Sequence, residues 1–422
     1  VIEPNRLSIS ANSSIRQQNI INTGIISTGN LNSLTNRASV YTFSVNPIWT
    51  PQFGGYANGV VQLGYDFVGT SSIQASDSSI FRGSLGLTSG TRFNRIGWRL
   101  GYNDSYSNRG AVGNVRLRDY LGEIRYNFNR KYSAFVQAGY FDNSLPNVVT
   151  SNNQNGSFYT FGASWTPNRR FGLQAAYGRN LYSINWTWQP TTRTNINLGF
   201  RHSNVGTNTG SVWNANIVHQ SARISWNASY SENTTTFQNI LLNQSILNPL
   251  NTTGQSTFNP VNQPVFSPVL TQPFASNLGL PTFTNNIIIQ RLGQISVSGG
   301  SAKSSLGLTL FNSRREDQST LADDNSIGAS AFWNWRFQPR TSSRVLVSWN
   351  RNTTNIPSAL VQNNQASFYV LSLGLTRNIA DYFNIARGIF GAIDYRYAKQ
   401  DSSNSQFSYT ENSVAATLTI NF

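Results

Sequence analysis

The chain has 422 residues, with 31 Lys and Arg against 16 Asp and Glu, two His, no Cys and no Met. Only 11% of the residues are charged, where a soluble globular protein carries about a quarter, so the length is not that of two or three water-soluble domains. No apolar run reaches the roughly 18 residues of a membrane-crossing helix, and a mean hydropathy of -0.33 agrees; what remains is a β-rich chain of short alternating segments. The lack of Cys excludes disulfide scaffolds, thiolate metal sites and Cys nucleophiles, and His202 and His219 alone cannot build a His cluster, so no metal and no cofactor is expected. The first residue is Val1 rather than Met, which suggests numbering that starts after removal of a signal peptide, as for a Cys-free envelope protein. The positive charge resides in 28 Arg with Lys131, Lys303 and Lys399, spread along the chain without a clustered basic face, so nucleic acid is not an expected partner.

Apolar and polar residues alternate with the period of a half-buried strand. In chain order the pattern predicts strands over 4–15, 38–50, 54–69, 79–91, 94–106, 116–128, 131–142, 156–166, 170–178 and 181–189. It continues over 193–203, 211–218, 221–234, 287–299, 302–314, 326–338, 342–353, 366–378, 387–399 and 410–422. Val61, Leu63, Tyr65 and Phe67 alternate with Gln62, Gly64 and Asp66, and Ile327, Ala329, Ala331, Trp333, Trp335 and Phe337 with Gly328, Ser330, Asn334 and Arg336. Each run is close to the 9–11 residues that a tilted strand needs to cross a bilayer. Short connections such as Thr166-Pro167-Asn168-Arg169-Arg170 and Gln338-Pro339-Arg340-Thr341 take turns with longer polar ones, the asymmetry of short periplasmic turns and long extracellular loops. The expected fold is an all-β transmembrane antiparallel barrel of about 20 strands, with 18 as the alternative, formed by residues 1–422 as one domain. In lipid every amide needs a ladder partner, so the sheet is expected to close.

Residues 235–286 break the pattern. They contain no Asp, Glu, Lys or Arg and hold six of the 14 prolines, yet carry Phe258, Phe266, Phe274 and Phe283 among other apolar residues. Such a stretch is too apolar for ordinary disorder and reads as a lumen plug, a partner-docking loop, or a lid packed on its neighbours. Ile240, Leu241 and Leu242 suggest a helical turn within it.

At the C-terminus Val414, Ala416, Leu418, Ile420 and Phe422 face one way and Ala415, Thr417, Thr419 and Asn421 the other. A chain ending in Phe422 after such a strand looks like the insertion signal of bacterial outer-membrane β-barrels, which implies the barrel-assembly machinery as a partner, lipid around the outer face, and the bacterial cell outer membrane as the location. The stretch Trp186-Thr187-Trp188-Gln189-Pro190-Thr191-Thr192-Arg193-Thr194, then Gly199-Phe200-Arg201-His202, then Ala222 to Thr236 with Trp226 and Tyr230, resembles the outer-membrane proteins associated with PEP-CTERM/exosortase systems. Leu306-Gly307-Leu308-Thr309-Leu310-Phe311-Asn312-Ser313-Arg314-Arg315-Glu316-Asp317 resembles that family's strand after its long insertion, and the likeness spans most of the chain. The resemblance implies an association with exopolysaccharide production and envelope sorting, and no catalytic residue.

If the apolar faces point to lipid, Arg82, Arg99, Arg125, Arg201, Arg336 and Arg396 point inward with Asp66, Asp119, Glu123 and Asp394. Arg rings set selectivity in pores, and aromatic and Asn side chains suit carbohydrate hydroxyls, so a mildly anion-preferring or sugar-contacting lumen is expected; Arg–acid pairs that merely knit the wall are the plainer alternative. His202 and His219 fall at opposite strand ends, which leaves too thin a general-base inventory for an enzyme. Trp49, Tyr56, Tyr102, Tyr126, Tyr132, Trp165, Trp186, Trp188 and Tyr397 read as interface girdles. The expected function is an outer-membrane pore for polar solute or exopolysaccharide within an envelope system. A general diffusion porin, or a structural barrel enclosing a periplasmic, secreted or electron-transfer partner, are the alternatives.

Overall fold

The computed structural model describes residues 6–26, 36–146, 155–242, 284, 286–355, 364–379 and 389–420. In chain order the strands are β1 (Leu7–Asn19), β2 (Arg37–Trp49), β3 (Gln52–Phe53), β4 (Ala57–Thr70), β5 (Ser78–Ser89), β6 (Ile96–Asn108), β7 (Val115–Asn127), β8 (Tyr132–Ser144), β9 (Gly156–Asn168) and β10 (Phe171–Arg179). They continue as β11 (Leu181–Thr191), β12 (Thr194–Ser203), β13 (Gly210–Gln220), β14 (Ile224–Thr236), β15 (Ile287–Gly300), β16 (Ser304–Asp317), β17 (Asp323–Gln338), β18 (Thr341–Asn355), β19 (Asn364–Asn378), β20 (Ile389–Ser402) and β21 (Tyr409–Ile420). All 21 belong to one sheet. Because β3 is a two-residue ladder inside a turn, twenty strands of bilayer-crossing length remain among the described residues, arranged as an antiparallel meander.

Each long strand pairs with its neighbours in sequence, from β1–β2 and β2–β4 through to β20–β21. Between β1 and β21 no backbone ladder is present among the described residues, so the continuous closure expected from the sequence is not seen at that seam. The segment following β1 instead lies against the last strands. The Ile26 amide donates to Gln400 Oε1 at 2.9 Å, Gln400 Nε2 donates to the Gly24 carbonyl at 2.8 Å, and the Tyr409 hydroxyl donates to the Ile26 carbonyl.

One face of the sheet carries the oily residues. Leu63, Phe81, Leu100, Ile124, Phe161, Ile184, Trp213, Leu308, Ile393 and Val414 are all exposed, as a lipid face must be. Aromatic rings cross from strand to strand on that face, Phe43 to Tyr65 at 6.5 Å and Tyr65 to Phe81 at 4.9 Å. Others gather at the short-turn end, where Trp165, Phe171, Trp186 and Trp188 lie 5.3 to 6.4 Å from one another in sequence. This is where interfacial Trp and Tyr belong. A transmembrane β-barrel of the outer-membrane type is therefore the architecture.

Most strands run 12 to 16 residues, longer than crossing requires, and the excess lies mainly at the ends joined by long connections. There the outward face turns from oil to charge. Arg116 pairs with Asp104 at 2.7 Å and Arg118 with Asp142 at 2.8 Å, while Arg291 meets Glu232 at 3.3 Å and Arg314 meets Asp323 at 2.9 Å. The alternation loses its contrast where these begin, whereas the ladder does not. Strands expected over 94–106 and 302–314 accordingly end at Asn108 and Asp317, and the first strand, expected over 4–15, reaches Asn19.

Four lumen-facing glycines sit directly opposite a phenylalanine on the next strand: Gly139 and Phe158, Gly162 and Phe135, Gly307 and Phe332, Gly328 and Phe311. In each pair the ring lies over the glycine, in the space that a Cβ there would occupy. The glycine provides the floor and the ring covers backbone that would otherwise be bare. Gly307→Val should therefore overpack the wall and destabilise the barrel by about 1–3 kcal/mol, read as a lower urea midpoint for loss of heat-modifiable mobility. Gly101→Val, on the lumen face with only Leu121 Cβ nearby, should change it little.

Candidate lumen site

Alternation places each functional side chain, since a strand whose odd residues face lipid sends its even ones into the lumen. All ten ionisable residues singled out in the sequence lie on the lumen face, and the ladder register brings several together. Arg82 and Asp66 are paired at 2.5 Å on β5 and β4, with Asp66 buried. Glu123 on β7 is shared: Arg99 reaches it at 3.2 Å, Arg125 at 2.9 Å, and Gln137 donates to it at 2.7 Å. Arg125 also lies 4.6 Å from the centre of the Phe135 ring. Asp119 accepts from Asn103 Nδ2 at 2.8 Å.

On the opposite wall Arg396 pairs with Glu411 at 3.1 Å and buried Arg315 with Asp324 at 2.8 Å. Asp394 stands directly across from Gly374, which faces Arg344 on its other side. Arg336 donates to the Ala302 carbonyl at the short-turn rim, and Arg201 stands apart, 5.4 Å from the Phe141 ring. Glu411 and Asp324 were not among the residues singled out. Both sit near the outer strand ends, where lumen and exterior faces are equally polar and parity cannot be read. Together with Arg–acid pairing they shrink the basic excess expected of the lumen.

The wall formed by β9 to β15 is different. Among the described residues its lumen face carries a single charged side chain, Arg201, and is rich in primary amides. Asn185, Asn195, Asn214, Asn216, Asn227 and Asn233 are exposed there, and Asn197 sits directly across from Asn216, which in turn faces Ser229. Among the described residues no hydrogen bond engages these side chains. Each amide offers two donors and an acceptor to whatever occupies the lumen.

The outer half of the lumen is not uniformly open. After β14, α1 (Phe237–Leu242) turns inward, and Phe237, Ile240 and Leu241 bury against Ala38, Val40 and Val68 on β2 and β4, with Ile288 of β15 in the same cluster. The segment after β1 packs Ile26 on Phe368, Val370 and Ala398, while Asn22 donates to Asp324 at 2.6 Å and its carbonyl accepts from Asn352 at 2.9 Å. Inward residues of β18 grade accordingly, from exposed Ser342 to buried Ser348, Asn350 and Asn352. Along β13 and β14 none of the inward residues is buried as far as Asn214 and Asn233. The apolar run near Ile240 thus forms a helix whose role is to bridge facing walls. Phe258, Phe266, Phe274 and Phe283, the expected plug or docking residues, lie outside the described residues, as does Phe422.

His202 and His219 both face outward. His202 stacks on Tyr182 at 4.8 Å and bonds Ser211 at 3.0 Å near the long-connection end; His219 bonds Thr194 at 2.8 Å and stacks on Trp226 at 5.8 Å at the other. Among the described residues no cluster of three or more His, Asp or Glu suits a metal ion.

No family model matches the chain, and no curated protein matches it. Among solved structures, the chain is similar to a BenF-like porin from Pseudomonas fluorescens Pf-5, at 9% identity and a TM-score of 0.35, over 99% of this chain and 98% of that one. It is also similar to the siderophore receptor PirA from Acinetobacter baumannii, at 8% identity and TM-score 0.41 over 92% and 71%. The loop L8 deletion mutant of OmpT, an outer membrane protein of Vibrio cholerae, matches at 8% identity and TM-score 0.29 over 80% and 98%. These likenesses are distant, and the barrel class rests on the chain's own ladder and lipid face.

The shared carboxylate of Glu123 holds two guanidinium groups on one wall. Glu123→Ala should destabilise the barrel by about 1–3 kcal/mol, since Arg99 is half exposed and can rehydrate; urea titration of the folded band at neutral pH checks it. Glu123→Gln should cost less, because Gln keeps an acceptor for Arg125.

Proposed function

We propose that the barrel is a pore of the bacterial outer membrane that passes hydroxyl-rich polar solutes, with a saccharide polymer of an envelope system as the substrate class. The amide wall of β9 to β15, with Arg201 as its single charge among the described residues, carries this reading. Its side chains are accessible and uncommitted, they line the side of the lumen that remains exposed toward the outer end, and amides bond sugar hydroxyls as both donor and acceptor. The charged walls are largely paired with themselves and present little net field to a passing solute. The likeness of Trp186 to Thr194 and of Leu306 to Asp317 to PEP-CTERM-associated proteins supports the link to exopolysaccharide. In this reading the barrel performs no catalysis and carries no cofactor, and α1 with the segment after β1 narrows the passage.

Planar-bilayer conductance of the purified barrel tests it, with a variant in which residues 238–284 are replaced by a short Gly/Ser linker. Steady conductance is expected in the wild type and a several-fold larger one in the variant. A neutral linear maltoheptaose should interrupt the current, and N197L/N216L should shorten those interruptions about tenfold, the loss of one good hydrogen-bonding pair. Silence from both proteins when correctly folded would sink the pore reading, and equal conductance without interruption by the sugar would leave a general diffusion porin.

A further inference from the structure

Fixed charge is distributed unevenly along the barrel axis. On the rim where β2 turns into β4 and β17 into β18, eight turns are fully described: 50–56, 90–95, 128–131, 169–170, 192–193, 221–223, 301–303 and 339–340. They hold ten basic residues, Arg92, Arg95, Arg130, Lys131, Arg169, Arg170, Arg193, Arg223, Lys303 and Arg340, and no Asp or Glu. All ten are exposed. The acids gather toward the opposite ends of the strands, where Asp104, Asp142, Glu232 and Asp323 pair with outward-facing Arg116, Arg118, Arg291 and Arg314.

Three features of this collar identify what it meets. The seven contributing turns follow one another from the β5–β6 turn to the β17–β18 turn, so the charge spans more than half of the rim, whereas a docked protein would engage a narrower arc. The collar also rides on the lipid-facing aromatic girdle. Phe128 and Tyr132 flank Arg130 and Lys131, Trp165 and Trp188 lie beneath Arg169 and Arg170, and Phe337 leads to Arg340. Arg92 shows the contact directly, its guanidinium 4.3 Å from the ring centre of Tyr56 and bonded to the Tyr56 hydroxyl. Finally, eight of the ten are Arg, whose planar fork matches phosphate bidentately and is more weakly hydrated than an ammonium.

We infer that the short-turn rim is a phosphate-binding collar that selects anionic phospholipid headgroups from the leaflet around it. Basic side chains at a bilayer surface attract anionic lipid additively within a Debye length. The inference holds whether or not the lumen conducts.

Boundary-lipid selectivity tests it. The full-length barrel is reconstituted in phosphatidylcholine containing trace spin-labelled phosphatidylglycerol or spin-labelled phosphatidylcholine, and electron paramagnetic resonance gives their relative association. Wild type is expected to favour phosphatidylglycerol about three- to fivefold at low salt, falling toward parity at about 0.5 M salt. R130Q/K131Q/R169Q/R170Q should lose about half of that preference, R193Q/R223Q a smaller share, and R116Q/R118Q on the far rim none. Equal association of the two lipids in wild type overturns the inference, as does a preference that the collar variants leave intact or that R116Q/R118Q removes. Soluble polygalacturonate provides the competing occupant: if the collar variants lose its binding while the lipid ratio stays put, the collar serves a soluble polyanion and the lipid assignment fails. Should a collar variant not reach the heat-modifiable folded form, the salt titration of wild type decides.

Discussion

A peptide group in hydrocarbon has no water to bond, and leaving it unpaired costs several kcal/mol. That single constraint organises this chain. It requires an unbroken ladder, the ladder enforces extended backbone, and extended backbone sends successive side chains to opposite faces. Everything assigned to the lumen and everything assigned to lipid follows from which parity a residue has. The seam between β1 and β21 is where the described ladder stops, and there side chains and a folded-in segment take over, with Gln400 bonding both Gly24 and Ile26.

Within the lumen two solutions to polarity sit side by side. On β4 to β8 and β16 to β21, charge is met with charge across adjacent strands, and the shared Glu123 shows how one carboxylate can hold two guanidinium groups. Partly exposed pairs of this kind add little stability, but they remove the field that unpaired arginines would impose. From β9 to β15 the wall is polar and, apart from Arg201, carries no charge among the described residues. Away from Arg201, a solute meeting that wall finds hydrogen-bonding capacity without an ion to desolvate, the difference between a surface that adsorbs sugars and one that sorts ions. The buried Asn350, Asn352 and Ser326 of the outer half are a third case, polar groups packed against an inward-folded segment rather than left for a visitor.

Much of the architecture is legible in the sequence because lipid exaggerates the period-two signal. Val61 to Phe67 and Ile327 to Phe337 could be placed on one face without further information. Strand ends could not, since above the apolar band Asp104, Arg116 and Glu232 face outward and polarity ceases to report direction. Glu411 escaped notice for that reason, although it completes the pair with Arg396. The amide wall escaped for another: asparagine is common along the whole chain, and only the register that sets Asn197 across from Asn216 turns a composition into a surface. The inward course of α1 depends on what lies on the other side of the lumen, Val40 and Val68, a relation between distant parts of the chain that no local pattern encodes.

The pairing of Thr236 with Ile287 closes the β14–β15 ladder before and after the long insertion without a gap in register. Leu241 is anchored on the facing wall a few residues later. The register of this ladder is therefore set by the two strands themselves, whatever length of chain is inserted between them. The connection between β14 and β15 is accordingly the place where a foreign segment could be inserted at the least cost to the scaffold.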